Sequence, residues 1–448
     1  MVTPSHNRKP APRPLLSRLE TRLRCEPELP SIVDFAEDPA FIGKEGRRLY
    51  PRQKTLLRLI YLEEDSLTAY DRRVIDSWRT SFECDGDRMG VPGDVYERMA
   101  WLRQRRYRHF REVLFVGGRR AGKTLLGAIM AAYELHRLIA LGDPQTFYGI
   151  DVSKPIMMLV AATNFQQARS NAFDDIARIV TEGRCFQEHL IASPADQLVL
   201  ATPADLERAG RLSIHGVERG WEAASLRVRA VSSNSRASRG VASLMQVYDE
   251  LAHVQIGTAG PQTAEELYRA LIPSLDQFHE DGFVFVPTSL YTKVGPAYEI
   301  YEAGLARDPD TGGPRYPRVL VIQLPSWAPY EDFDDAEATN GRPFDRPPQL
   351  YNEALTAEEE RDPVAFGVER RAQWAEVRDA YLRPEVVDRI FSAFCSVCGQ
   401  PFAIDHTMTP AADCCGRHGV VVSRARRSVT LASKLCGRDR AHRALLPP

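Results

Sequence analysis

Between residue 111 and about residue 325, short and nearly uninterrupted apolar runs alternate with stretches in which apolar residues recur every three or four positions. The runs are centred on Leu114, Met158, Val228, Val247, Val286 and Val321. Strands apolar on both faces belong to a parallel sheet covered by helices on both sides, so the pattern predicts an α/β core. Leu125, Leu126, Ile129, Met130, Tyr133, Leu135 and Leu138 mark one long helix, with no proline before Pro144. Residues 31–110 read as mostly helical. Residues 1–30 are proline-rich and basic and predict disorder. Residues 328–350, rich in Pro, Asp and Glu, predict a linker or loop, 356–390 a helical connector, and 391–448 a separate tail. The expected division is therefore 1–30, 31–110, an α/β core 111–327, a linker and connector 328–390, and 391–448, without internal repeats.

One junction in this pattern carries chemistry. The strand Val113-Leu-Phe-Val116 runs straight into Gly117-Gly118-Arg119-Arg120-Ala121-Gly122-Lys123-Thr124, which fills G-x-x-x-x-G-K-[ST] just where the helix begins. Glycines let successive backbone N–H groups face one concavity, and the helix adds its positive end, so such a loop holds phosphate oxygens without crowding them. Lys123 would lie along the β- and γ-phosphates of ATP, and the Thr124 hydroxyl would take one position on Mg²⁺. A glycine turn matching by coincidence is the competing explanation, and the strand-before, helix-after context weighs against it.

A second apolar run, Leu244 to Tyr248, ends in Asp249-Glu250. A strand end places both carboxylates beside a phosphate loop on a neighbouring strand. Asp249 would hold Mg²⁺ and Glu250 would polarise the attacking water, although an Asp-Glu pair can also simply cap the next helix. The run Gly282-Phe-Val-Phe-Val-Pro-Thr288-Ser289 ends in hydroxyls placed to sense a γ-phosphate, or to satisfy a turn. Upstream, Leu49-Tyr50-Pro-Arg-Gln53 precedes an apolar helix, and Tyr50 or Gln53 could stack on or hydrogen-bond to adenine.

Tyr50-Pro-Arg-Gln53, Gly-Gly-Arg-Arg-Ala-Gly-Lys-Thr124, Arg239-Gly240 and Tyr248-Asp-Glu-Leu-Ala-His253 together resemble the large subunit of tailed-bacteriophage terminases, over roughly residues 45–390. The resemblance implies a P-loop NTPase of the ASCE/RecA-like type that packages viral double-stranded DNA through a portal protein. It implies a ring of copies of itself, aided by a terminase small subunit, in the host cytoplasm. It also implies that Lys123 and Thr124 bind phosphate and metal, that Asp249 binds metal, that Glu250 is the catalytic carboxylate, and that Thr288 and Ser289 form the coupling motif. Arg119 and Arg239 fall where such motors place a charge-stabilising arginine. Arg239 is favoured as a finger acting in trans, and Arg119 as a loop or phosphate contact within the subunit. A DEAD/DEAH-type helicase shares the early glutamine and the acidic motif, but no second lobe with its arginine motif is legible after Ser289. A nucleotide-dependent assembly factor that does not translocate is the alternative from another class.

The resemblance stops at the tail. Large terminases continue into an RNase H-like nuclease with clustered carboxylates, whereas the 58 residues after Ile390 hold only Asp405, Asp413 and Asp439 as acids. The expected nuclease is missing. Five of the eight cysteines lie in this tail, and Cys395-x2-Cys398 followed by Cys415-x2-His418 has a spacing compatible with a Zn²⁺ ribbon, with Cys414 as a substitute ligand. Asp405-His406 allows an HNH-like nuclease as a weaker reading. A basic stretch from Val420 onward fits a chain end that folds into nothing.

Charge sharpens this division. The formal net charge is −2, yet residues 391–448 alone carry eight basic against three acidic residues, so the preceding part is clearly acidic. No apolar run is long enough to span a bilayer, and the N-terminus lacks a signal-peptide core, so the expectation is a soluble intracellular protein with Cys25, Cys84 and Cys185 reduced.

Overall fold

In the computed structural model, residues 27–374 are described apart from 45–47, 85–88, 163–167, 169–171, 215–223, 233–239, 254–263, 290–292, 346 and 348, together with 418–423 and 428–433. The chain divides into two units, Met1–Ala375 and Glu376–Pro448. The predicted disorder of residues 1–26 lies outside the described residues, as do Arg239, Cys395, Cys398, Cys414 and Cys415.

Four helices lead into the first unit: α1 (Ile32–Glu37), α2 (Pro51–Ile60), α3 (Ala69–Cys84) and α4 (Val95–Gln104). Pro51 at the first position of α2 supplies a preset φ where no N–H is needed. The core follows as β1 (Glu112–Gly117), α5 (Lys123–Ala140), α6 (Pro144–Tyr148), β2 (Ile156–Ala162), α7 (Asp174–Glu182), β3 (Leu190–Ala192), β4 (Gln197–Leu200) and α8 (Pro203–Ile214). It continues as β5 (Leu226–Ser232), β6 (Ala242–Tyr248), α9 (Ala264–Leu271), β7 (Phe283–Thr288), α10 (Pro296–Leu305) and β8 (Val319–Leu324). The connector supplies α11 (Glu353–Arg361) and α12 (Pro363–Glu369). In the second unit, β9 (His418–Ser423) and β10 (Ser428–Ser433) pair antiparallel.

The strands of the first unit form one sheet in the order β3-β4-β5-β2-β6-β7-β1-β8. From β5 to β8 every neighbouring pair is parallel, and these six strands are the six apolar runs. β2, β6, β7 and β8 are buried at every position, because helices cover both faces. α5 comes close enough to the sheet that a Cβ on Gly127 would stand 2.9 Å from the Phe285 ring, so glycine there sets the helix–sheet spacing. β3 and β4, which add antiparallel at one edge, are not legible in the sequence. They are only three and four residues long, so the apolar stretches Leu190-Ile191-Ala192 and Leu198-Val199-Leu200 are too brief to stand out as strands.

The strand order also sets the site. β7 lies between the loop strand β1 and the acid strand β6, so the acids reach the loop across one intervening strand. The described residues of 328–350 hold one short 3-10 turn and otherwise no regular structure. Trp327, Ala328 and Tyr330 are buried, and Phe344 packs on Tyr50 at 4.3 Å between ring centres.

Candidate functional site

β1 ends at Gly117, and the chain turns through residues 118–122 before α5 starts at Lys123. Two residues in this turn have positive φ: Arg120 at 65° and Gly122 at 76°. For arginine that conformation is strained, and the Tyr330 hydroxyl holds it by donating to the Arg120 carbonyl at 2.6 Å. The N–H groups of the first turn of α5 have no carbonyl behind them, so they and the positive helix end face the turn.

Lys123 folds back over the loop. Its Nζ donates to the Gly117 carbonyl at 2.5 Å and to Ser289 Oγ at 3.2 Å, and stands 3.9 Å from Glu250 Oε1. Burial pushes its pKa down, against the opposing fields of Glu250, Asp249 and Glu369. The two sequence motifs that chemistry required to meet therefore do so. β6 delivers Asp249, which is buried, and Glu250, whose φ of 54° turns its carboxylate towards the loop. The end of β7 fixes that carboxylate, since the Ser289 N–H donates to Glu250 Oε2 at 2.8 Å. Thr288 Oγ1 receives the Ala252 N–H at 3.2 Å, which anchors the turn after the acids.

A cavity of about 660 Å³ is lined by Arg119, Arg120, Ala121, Gly122, Lys123, Thr124, Leu125, Glu250, Ser289, Tyr330 and Glu369. That volume suits a nucleotide. Backbone donors, an ammonium group and a threonine hydroxyl are a donor set for polyphosphate and Mg²⁺, and Thr124 with Asp249 could hold the metal. No cluster of three or more His, Cys, Asp or Glu able to hold a metal occurs among the described residues. A magnesium site made of one hydroxyl, one carboxylate and waters needs none.

Tyr50 is covered by Phe344 and meets the Tyr330 ring edge-on at 5.1 Å. Gln53 is buried, accepts the Tyr50 N–H at 3.2 Å, and directs its amide nitrogen at Gly122, so it supports the loop from behind. Arg119 lies on the cavity wall and pairs with Glu369 at 2.7 Å. Tyr330 and Glu369 are site residues that sequence reasoning missed: each lies in a segment read as a connection, and nothing local distinguishes it. His418 begins β9, and the ligands proposed with it lie outside the described residues.

Fold and site together define a P-loop nucleotide-binding domain. The family model of the N-terminal P-loop domain of the uncharacterized protein MJ0330 matches residues 61–364, and the chain belongs to that family. Among solved structures, the Thermus phage P74-26 large terminase ATPase domain is 14% identical with a TM-score of 0.36, covering 59% of this chain and 89% of that one. The HK97 bacteriophage large terminase is 14% identical with a TM-score of 0.43, covering 77% of this chain and 55% of that one. A large terminase from a thermophilic bacteriophage is 11% identical with a TM-score of 0.24, covering 44% of this chain and 39% of that one. No curated protein matches the chain.

Proposed function

We propose that the chain is an ATP-hydrolysing motor that moves double-stranded DNA in the manner of a terminase large subunit. The observation that carries the hydrolytic part is the meeting of Lys123 Nζ and Glu250 Oε1 at 3.9 Å across one cavity, from two strands separated by β7. The DNA part rests on the combined motifs that resemble terminases.

In this reading the loop N–H groups and Lys123 bind the polyphosphate, with Thr124 and Asp249 holding Mg²⁺, which when bound neutralises charge on the β- and γ-oxygens. Glu250 accepts the proton of the attacking water. The Ser289 N–H fixes the direction of its lone pairs, and Thr288 and Ser289 relay its state into β7. Charge at the transferring phosphoryl group is met by Arg239 of a neighbouring copy in a ring, and by Arg119 from within the subunit. Double-stranded DNA, a portal protein and a small subunit are the partners, in the host cytoplasm and at the procapsid. The 391–448 tail, which carries the β9–β10 pair, is proposed as a Zn²⁺-binding appendage.

The test is nucleotide turnover by the full chain with and without duplex DNA. Turnover should rise with duplex DNA, and Glu250→Gln should lower it about 10³-fold while leaving Mg²⁺-nucleotide binding intact. Turnover indifferent to DNA would favour an assembly factor that binds nucleotide without translocating. Turnover that survives Glu250→Gln would remove the carboxylate from the mechanism.

A further inference from the structure

A carboxylate is out of place on the wall of a cavity built for phosphate, yet Glu369 lies there. It ends α12, and it is bound to the loop twice. Its side chain takes Arg119 Nε at 2.7 Å, and its carbonyl accepts the Arg119 N–H at 2.7 Å. The next residues continue this attachment: the Arg370 carbonyl accepts the Ser326 N–H at 2.8 Å, and the Ala372 carbonyl accepts Gln323 Nε2 at 2.7 Å. Gly118 permits the crossing, since a Cβ there would stand 2.3 Å from the Arg370 oxygen. Arg370 and Arg371 are held from the other side by Glu358 and Glu359 on α11. Residues 369–372 are thus a strap lying over the first residues of the phosphate loop.

We propose that Glu369 is a positioning residue that holds Arg119 on this strap until a nucleotide's phosphates displace it, so that filling the cavity loosens the strap. Exposure decides which way the competition runs. The Arg119 side chain is 69% exposed and that of Glu369 38%, and an ion pair so open to water is weak. A polyphosphate held by several loop donors presents more charge to the same guanidinium, and it also repels the Glu369 carboxylate. Coupling is reciprocal, so whatever tightens the strap must weaken nucleotide binding by the same factor.

This inference rests on the nucleotide reading of the cavity, and one experiment separates the two. The full chain is titrated with Mg²⁺ and the non-hydrolysable ATP analogue AMP-PNP by calorimetry, while hydrogen exchange is followed at the Ser326 amide. Wild type should bind, and its Ser326 amide should exchange faster when the analogue is bound. Glu369→Gln should bind about five- to tenfold more tightly, and that gain should shrink when Arg119→Gln is also present. Arg119→Gln alters a mostly exposed side chain, and it should speed exchange at Ser326 before any nucleotide is added. Unchanged or weaker binding by Glu369→Gln, or a Ser326 amide as protected in Arg119→Gln as in wild type, overturns the strap proposal while the nucleotide reading stands. Failure of the wild type to bind the analogue overturns the nucleotide reading itself, and the strap proposal with it.

Discussion

At the scale of single residues, the loop is held open by side chains outside the glycine-rich motif. Arg120 keeps a positive φ because the Tyr330 hydroxyl holds its carbonyl, and Gln53 backs Gly122. Tyr330→Phe removes one hydrogen bond and no packing. It should cost about 1 kcal/mol in denaturant unfolding and weaken Mg²⁺-nucleotide binding, read by calorimetry. Equal affinity in the variant would show that the loop holds its own shape. The motif residues themselves were legible because phosphate chemistry dictates both their types and their spacing. Tyr330 and Glu369 were not, because their roles arise when distant segments cross the loop, 210 positions on in the case of Tyr330 and Arg120.

At the scale of elements, α1 and α5 pack through His136, whose ring lies 5.3 Å from Phe35 and 5.2 Å from Phe41. Burial, with a smaller contribution from His189, lowers the His136 pKa to about 4, and its Nδ1 is buried without a partner. The folded chain therefore keeps this ring neutral where the unfolded chain, with an ordinary histidine, takes up a proton. Stability should be unaffected by His136 above about pH 6.5 and should fall as pH drops from there towards 4. His136→Phe should flatten that decline, as measured by Tm at pH 7 and pH 4.5, and an equally steep decline in the variant would assign acid sensitivity elsewhere. The six parallel strands were readable because burial keeps most of their positions apolar over six or seven residues, with Arg227, Arg229 and Gln246 among the exceptions, whereas β3 and β4 are too short to leave such a trace. The stretch after Trp327 reads as a linker or loop, and it is Tyr330 and Phe344 that tie it to Tyr50 at the start of α2.

At the scale of the whole molecule, the unanswered charge is the one on the transferring phosphoryl group. Among the described residues two arginines line the cavity wall, Arg119, whose guanidinium is paired with Glu369, and Arg120, and the proposed mechanism adds Arg239 from a neighbouring copy. An arginine supplied by a neighbouring copy makes a clear demand on mixing experiments. Arg239→Ala and Glu250→Gln chains should each be inactive alone. Combined in equal amounts with free exchange, they should recover about a quarter of wild-type turnover, since an intact Glu250 then meets an intact Arg239 at one interface in four. No recovery on mixing would place Arg239 in its own subunit's site or outside the chemistry.

The grip on Glu250 has a consequence for how this sequence can drift. The carboxylate is anchored by the main-chain amide of residue 289, with the serine hydroxyl only a distant second at 3.4 Å. A main-chain donor survives nearly every substitution, so the direction of the acid is insulated from changes in the side chain beside it. Proline alone deletes that donor, so Ser289→Pro should cost far more turnover than Ser289→Ala, which removes only the hydroxyl.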